Sequence, residues 1–251
     1  MLPISCVIIA KNEERHISRA IESVTWCQEC LVVDSGSTDK TWVLAQSLGA
    51  RVFAHEFNGH GQQKRWAISQ AQHDWILNID ADEVVSPELA QEIQNILAAH
   101  PNPRDVFFLP IPLYFLGCCL QNNPKKGNIR LFNRQHSQFS ECVVHEYVKH
   151  AGQTHYLKNP IIHHSYDNLS DYFSKFNQYT SLAAQEMKDK DRFNFPLLAL
   201  VLCPLTFVHF YFFKGFFLKG LPGLVWSFVC SFYPSIKRLK YYYLKHPPAC
   251  S

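Results

Sequence analysis

The sequence predicts an α/β fold with a doubly wound, mostly parallel, Rossmann-like sheet. A layer of extended segments and a hydrophobic helical tail follow it. Three observations carry this expectation. Short apolar runs alternate with amphipathic stretches up to about residue 100. Two of those runs end abruptly in carboxylates, at Asp34 and at Asp80. The composition breaks sharply near Arg192, where acidic residues stop and aromatics become dense.

The elements follow in order. ISCVIIA is a strand, and His16 to Val24 a helix with Ile17, Ala20, Ile21 and Val24 on one face. ECLVV is a buried strand, and Thr41 to Leu48 a helix closed by Gly49, with Ser37 or Thr38 as its expected cap. Arg51 to His55 forms a short strand, Gln62 to Gln72 a helix and WILNI a strand. Ser86-Pro87-Glu88 then opens a helix with a serine cap, proline in the first turn and an early acid. Beyond residue 105, VFFLPIPLYFL, NIRLFN and HYLKNPIIHH read as strands or extended segments, and Asn168 to Met187 as an amphipathic helix. The expected divisions are residues 1–105, 106–192 and 193–251.

With 47% hydrophobic and 18% charged residues in 251, a sizeable core can be buried and no disordered tract is apparent. Nine scattered cysteines in apolar surroundings read as reduced thiols of a cytosolic protein. Cys27 and Cys30 form a lone CxxC, which reads as part of a strand rather than as a zinc or redox site. The N-terminus lacks the basic lead-in of a secretory signal.

Chemistry concentrates where strands end. In an open parallel sheet, ligands meet the carboxyl ends of the strands. Asp34, in VVDSGSTDKT, stands there, with stabilisation of its own turn as the alternative role. NIDADE brings Asp80, Asp82 and Glu83 to a second strand end, a pattern suited to Mg²⁺ shared with substrate phosphates. GHGQQKRWAI sets glycines before Lys64 and Arg65, which suits an anion or a solvated helix face.

VIIAKNEE, VVDSGSTDKT, QQKRWAI and NIDADE, in this order, resemble the inverting glycosyltransferases of family two, over residues 4 to about 187. RLFNR, VHE and a late HHS narrow the likeness to bacterial enzymes that add glucose to the inner core of lipopolysaccharide or lipooligosaccharide (inner-core β-1,4-glucosyltransferases). The resemblance implies the GT-A fold, with residues 1–105 holding the nucleotide-sugar and 106–192 the acceptor. Ala10, Asn12 and Glu13 would flank the uridine, Asp34 would accept from the uracil, and Lys64 or Arg65 would lie near the base or diphosphate. Asp80 would contact the ribose. Asp82 would hold a divalent metal, Mg²⁺ or Mn²⁺, with His164 or its neighbour completing that site. Glu146 matches the catalytic base. Glu141, His145 and Arg130 are weaker candidates for the acceptor or diphosphate, and a separate zinc site around the histidines is an alternative. The single Asp34 before Ser35 departs from the two acids that many members carry there.

Residues 193–251 hold six Lys or Arg, no Asp or Glu, and 16 of the 35 aromatics. The remainder carries 18 basic against 21 acidic residues, so the basic excess belongs to the tail. Residues 193–213 are uncharged for 21 positions but interrupted by Pro196 and Pro204. Interfacial helices on an anionic membrane are expected, with a span or a packed subdomain as alternatives. The resulting expectation is a cytoplasmic enzyme, peripheral at the inner membrane of a Gram-negative-type bacterium. It would use a UDP-sugar donor and a lipid-anchored saccharide acceptor, with no nucleic-acid partner. The rivals are transfer to polyprenyl phosphate and a non-catalytic sugar-nucleotide-binding scaffold.

Overall fold

The structure is a computed structural model that describes residues 2–121, 123, 125–140, 147–163, 169–189 and 198–246. It forms two compact units, Met1–Pro112 with Asn122–His164, and Leu113–Gln121 with Ser165–Ser251. The segment 113–121 and the helix near residue 170 group with the tail in the second unit.

The first unit begins with the alternation that the sequence predicts: β1 (Leu2–Ala10), α1 (Ile17–Glu22), β2 (Cys27–Asp34), α2 (Thr41–Ser47), β3 (Arg51–Ala54), α3 (His60–Ser69) and β4 (Trp75–Asp80). There follow β5 (Glu83–Val85), α4 (Pro87–Ala98) and β6 (Val106–Pro110). In the second unit β7 (Leu113–Phe115) and β8 (Cys118–Gln121) make a hairpin. Back in the first lie β9 (Gly127–Asn133), β10 (Gln138–Phe139), β11 (Val148–Lys149), β12 (Thr154–Tyr156) and β13 (Ile161–His163).

The main sheet has the order β12-β6-β9-β4-β1-β2-β3. Strands β3, β2, β1 and β4 are mutually parallel, and β9 runs antiparallel between β4 and β6. The sheet is buried on both faces, which is why its strands read as unbroken apolar runs. Ile4, Cys6 and Ile8 pack with Ile17, Ile21, Leu89 and Ile93 from α1 and α4. Val7, Leu31, Val33 and Ile76 face the other way, toward Ala67 and Ile68 of α3. Helix α4 starts as its sequence predicts, with the Ser86 hydroxyl accepting from the Leu89 N–H at 3.1 Å. Helix α2 does not. Its cap position is Lys40, without a side-chain cap bond, and Asp39 Oδ1 accepts from the Thr41 N–H instead.

The amino end of the sheet is fixed by a polar cluster. Glu29 is buried and accepts from the Ser5 hydroxyl, the Arg51 guanidinium and, at 2.7 Å, the Gln72 N–H. One carboxylate thus ties together β1, β2, β3 and the approach to β4. The seven described cysteines, Cys27 and Cys30 among them, are free thiols, and burial pushes Cys6 and Cys27 well above the usual thiol range.

In the second unit, α5 (Leu169–Asp189), α6 (Leu198–Val208), α7 (Gly220–Ser231) and α8 (Tyr233–Lys245) pack together. Phe115, Tyr172, Phe216 and Trp226 form their aromatic centre. By length and composition Phe216–Lys245 is sufficient to cross a membrane. One side of its α7 portion is nevertheless taken up inside the unit, where Trp226, Ser227, Val229 and Ser231 are buried.

Glu29→Ala strands the buried Ser5 hydroxyl and Gln72 N–H, while Arg51 remains partly solvated. Unfolding free energy is expected to fall by about 2–4 kcal/mol. Denaturant titration should show a lower midpoint with unchanged slope, and an unchanged midpoint would contradict the bracing role.

Candidate active site

The parallel register brings three strand ends into line. Ala10 pairs with Asp34, Asp34 with Ala54, and Ile9 with Asp80. Asp34 and Asp80 therefore lie at the same edge of the sheet, two strand spacings apart, or about 10 Å.

The loops after β1 and β2 are clasped together. Asn12 takes a left-handed backbone, φ 56°, which asparagine tolerates better than most residues. Its N–H donates to Ser37 Oγ at 2.8 Å, and its Oδ1 accepts from the Thr38 N–H at 2.8 Å. The Glu13 N–H donates to Thr41 Oγ1 at 2.7 Å, and the Glu13 carboxylate meets His16 Nδ1 at 2.8 Å. Asp34 is buried, and its Oδ1 accepts from the Ser37 N–H at 2.7 Å. The turn-stabilising role is thus present at Asp34. The bond uses one oxygen, so it is compatible with acceptance from a ligand by the other. Asn12 and Glu13 likewise hold loop geometry directly.

Gln63 is a positioning residue that the motifs of the sequence did not single out. Fully buried on α3, it donates from Nε2 to Ser35 Oγ at 3.0 Å and to the His55 carbonyl at 3.1 Å. Its Oε1 lies 2.7 Å from His55 Nδ1, which makes that nitrogen the protonated one. The signal lies inside GHGQQKRWAI, one residue before Lys64, where the neighbouring cations are the more conspicuous feature.

At the end of β4 the charges are tightly matched. Lys64 is buried and its Nζ lies 3.4 Å from Asp80 Oδ1. Arg130, on β9 and 4% exposed, donates to Asp80 Oδ2 at 2.8 Å and to Glu83 Oε1 at 2.6 Å. It also reaches Asn78 Oδ1 at 3.4 Å. Glu83 Oε2 accepts from the Asp80 N–H at 2.8 Å. Arg130 therefore braces the strand end from within the protein. Burial opposes the Asp80 charge, but Arg130 and Lys64 outweigh it and hold the carboxyl far below the ordinary range. At Glu83 burial is the larger effect. It joins the Asp80 charge against the pull of Arg130 and pushes the carboxyl up to about 7. Arg65 is half-buried on the same helix as Lys64.

Strand β5 pairs antiparallel with β13, setting His163 opposite Glu83. This brings His163 Nε2 to 3.1 Å from an Asp82 oxygen. Burial lowers the imidazole pKa, but the Asp82 hydrogen bond and the charges of Asp82, Glu83 and Asp80 raise it further. Asp82 and His163 together present an oxygen and a nitrogen of the kind that divalent metals accept. Among the described residues no group of three His, Cys, Asp or Glu is gathered, so the donor set fits in part. The other expected site residues, Glu141, His145, Glu146 and His164, lie outside the described residues.

A mostly parallel sheet with carboxylates along its strand ends puts acidic groups where open α/β sheets meet their ligands. The sequence profile described as Glycosyl transferase family 2 matches residues 5–151, more than half of the chain. The chain belongs to this family and is a glycosyltransferase, and the expected GT-A class of fold stands with it. It is 34% identical over 257 residues to an uncharacterized glycosyltransferase of Rickettsia felis, covering 92% of this chain and 87% of that one. It is 30% identical over 250 residues to the lipopolysaccharide core biosynthesis glycosyltransferase LpsC of Rhizobium meliloti, covering 96% of this chain and 92% of LpsC. A solved structure of glucosyl-3-phosphoglycerate synthase from Mycobacterium tuberculosis, with Mn²⁺, UDP and glucosyl-3-phosphoglycerate, aligns at TM-score 0.40 and 24% identity, covering 53% of this chain and 57% of that one.

Replacing Arg130 with Met leaves Asp80 and Glu83 facing each other without their shared cation. The loss of stability is expected to be about 3–5 kcal/mol. Glu83→Gln keeps an acceptor for the Asp80 N–H and should cost far less. The two also separate by pH. Folded Glu83 holds a proton between pH 4.5 and about 7 that the unfolded chain has released, so its contribution declines as pH rises through that window. Denaturation midpoints across the window should slope less in Glu83→Gln than in wild type. Equal slopes would show that Glu83 is ionised throughout.

Proposed function

We propose that this glycosyltransferase moves a hexose, glucose in the first instance, from a UDP-sugar to an inner-core sugar of lipopolysaccharide, with inversion and with a divalent metal. The observation that carries the reading is the edge where Asp34 ends β2 and Asp80 ends β4, on either side of β1, with Asp82 two residues beyond Asp80. The near full-length likeness to LpsC supports the lipopolysaccharide core as the acceptor. In this reading Ala10, Asn12, Glu13 and Asp34 lie along the uridine, Lys64 and Arg65 near the base or diphosphate, and Asp80 against the ribose. Asp80 retains lone pairs for ribose hydroxyls, since a carboxylate offers about four acceptor sites and two cations occupy part of them. Asp82, with His163 or His164, would hold the metal, Mg²⁺ or Mn²⁺. When bound, the metal would neutralise charge on the departing diphosphate.

Glu146 takes the proton of the acceptor hydroxyl as that oxygen attacks the anomeric carbon from the face opposite the nucleotide. The carbon–oxygen bond to the diphosphate breaks and UDP leaves with the electron pair. Attack from the opposite face inverts the configuration. The acceptor is anchored in lipid, so the same reading places the enzyme at the cytoplasmic face of the inner membrane. The exposed apolar residues of the tail support that attachment.

Asp82→Asn should lower transfer by roughly 10²-fold or more and weaken metal-dependent UDP-sugar binding in calorimetry. Full wild-type turnover in EDTA would overturn the metal reading. Glu146→Gln keeps shape and removes basicity, so turnover should drop by about 10²–10⁴-fold while UDP binding persists. Near-normal turnover would move the role of base to Glu141 or another acid.

A further inference from the structure

The tail's cations are not equally available. On α8, Lys240 Nζ donates to the Asn177 carbonyl at 2.8 Å, Asn177 Oδ1 at 2.6 Å, Thr180 Oγ1 at 2.8 Å and Ser181 Oγ at 2.8 Å. Lys237 and Arg238 are half-buried, and the Lys237 ammonium lies over the Tyr233 ring. Lys214 and Lys219, by contrast, are exposed, and both lie in the corner between α6 and α7. That corner consists of a π-helical turn, His209–Phe213, and a 3₁₀ turn, Phe216–Lys219.

Among the described residues the same corner carries the most exposed apolar side chains of the unit. Phe213 is 80% exposed, Leu218 74% and Leu221 70%. Phe212 and Phe217 are also exposed. The presentation is built into the backbone. Gly215 and Gly220 take φ of 73° and 60°, values that favour glycine. The Lys214 N–H donates to the His209 carbonyl at 2.9 Å. Phe216 turns inward, is buried, and stacks on Phe210 with centroids 6.0 Å apart. At Gly223 a Cβ would meet the Phe216 carbonyl oxygen at 2.0 Å, so α7 approaches the turn as closely as a backbone can.

We propose that this corner, residues 208–224, is the tip that enters an anionic lipid surface, with Phe213, Leu218 and Leu221 in the acyl boundary and Lys214 and Lys219 at the headgroups. This rests on the membrane attachment proposed above and locates it. Exposed apolar side chains flanked by lysines suit insertion of a few ångströms below the headgroups, with the ammonium groups reaching back to phosphate. Residues 198–246 contain no Asp or Glu, so nothing there repels an anionic leaflet. A second copy docked on this tip about a two-fold axis would instead bring lysines against lysines.

The test uses the full chain and sedimentation with phosphatidylglycerol-containing or pure phosphatidylcholine vesicles. Wild type should bind the anionic vesicles better. Phe213→Ser combined with Leu218→Ser and Leu221→Ser should weaken binding to both by ~100-fold or more. Lys214→Gln with Lys219→Gln should weaken anionic binding by roughly 10–30-fold and leave neutral binding nearly unchanged. Lys237→Gln with Arg238→Gln should have a smaller effect than either. Phe213→Trp keeps the apolar surface and should add fluorescence that brominated lipid quenches. If wild type binds and the tip variants bind equally well, or the new tryptophan is not quenched, the tip assignment is wrong while attachment stands. If wild type binds no vesicle, attachment itself fails. If light scattering shows a dimer that the tip variants break, the corner is a self-association face and the proposal is overturned.

Discussion

The site depends on the bond between Arg130 and the pair Asp80 and Glu83. Two carboxylates at one strand end repel each other, and the buried Glu83 has also lost its water. Arg130 reaches both, and Lys64 adds a second cation on Asp80. This balance keeps Asp80 ionised where β4 gives way to the turn at Ala81 and Asp82. Arg130 can do so because β9 runs antiparallel beside β4. The one antiparallel strand set within the parallel strands of the sheet is therefore tied to the chemistry at its edge.

A second constraint acts beside the first. The loops after β1 and β2 have few apolar contacts of their own, and hydrogen bonds between them set their shape. Asn12, Ser37, Thr38 and Thr41 exchange backbone and side-chain bonds, and Gln63 pins Ser35 from α3. These contacts cost a ligand little ordering on arrival, because the loops are already held. At the far end of the sheet Glu29 performs the equivalent bracing, so both ends of the parallel strands are fixed by buried polar groups around an apolar middle.

Much of this was legible in the sequence. The alternation of apolar runs and amphipathic stretches placed β1 to β4 and α1 to α4 within a few residues, because each element's pattern is local. Asp34 and Asp80 could be placed at strand ends, with Asp82 just beyond, because a carboxylate that follows an apolar run sits where the apolar core stops. What was not legible depends on pairing between distant segments. NIRLFN reads as a strand, but nothing in it says that β9 inserts beside β4, so the pairing of Arg130 with Asp80 and Glu83 could not be read from it. His163 meets Asp82 through the pairing of β13 with β5, about eighty residues apart in the chain. In the tail, composition showed six cations without showing that α5 engages Lys240 while the corner exposes Lys214 and Lys219.

The central claim is that this chain adds a hexose to the lipopolysaccharide core. Mass spectrometry of core oligosaccharide from the host bacterium, with and without the gene, tests it most directly. The account predicts a core lacking one hexose and whatever is attached beyond it, restored when the gene is returned. An unchanged core, with a hexose missing from polyprenyl-linked sugars instead, would contradict it.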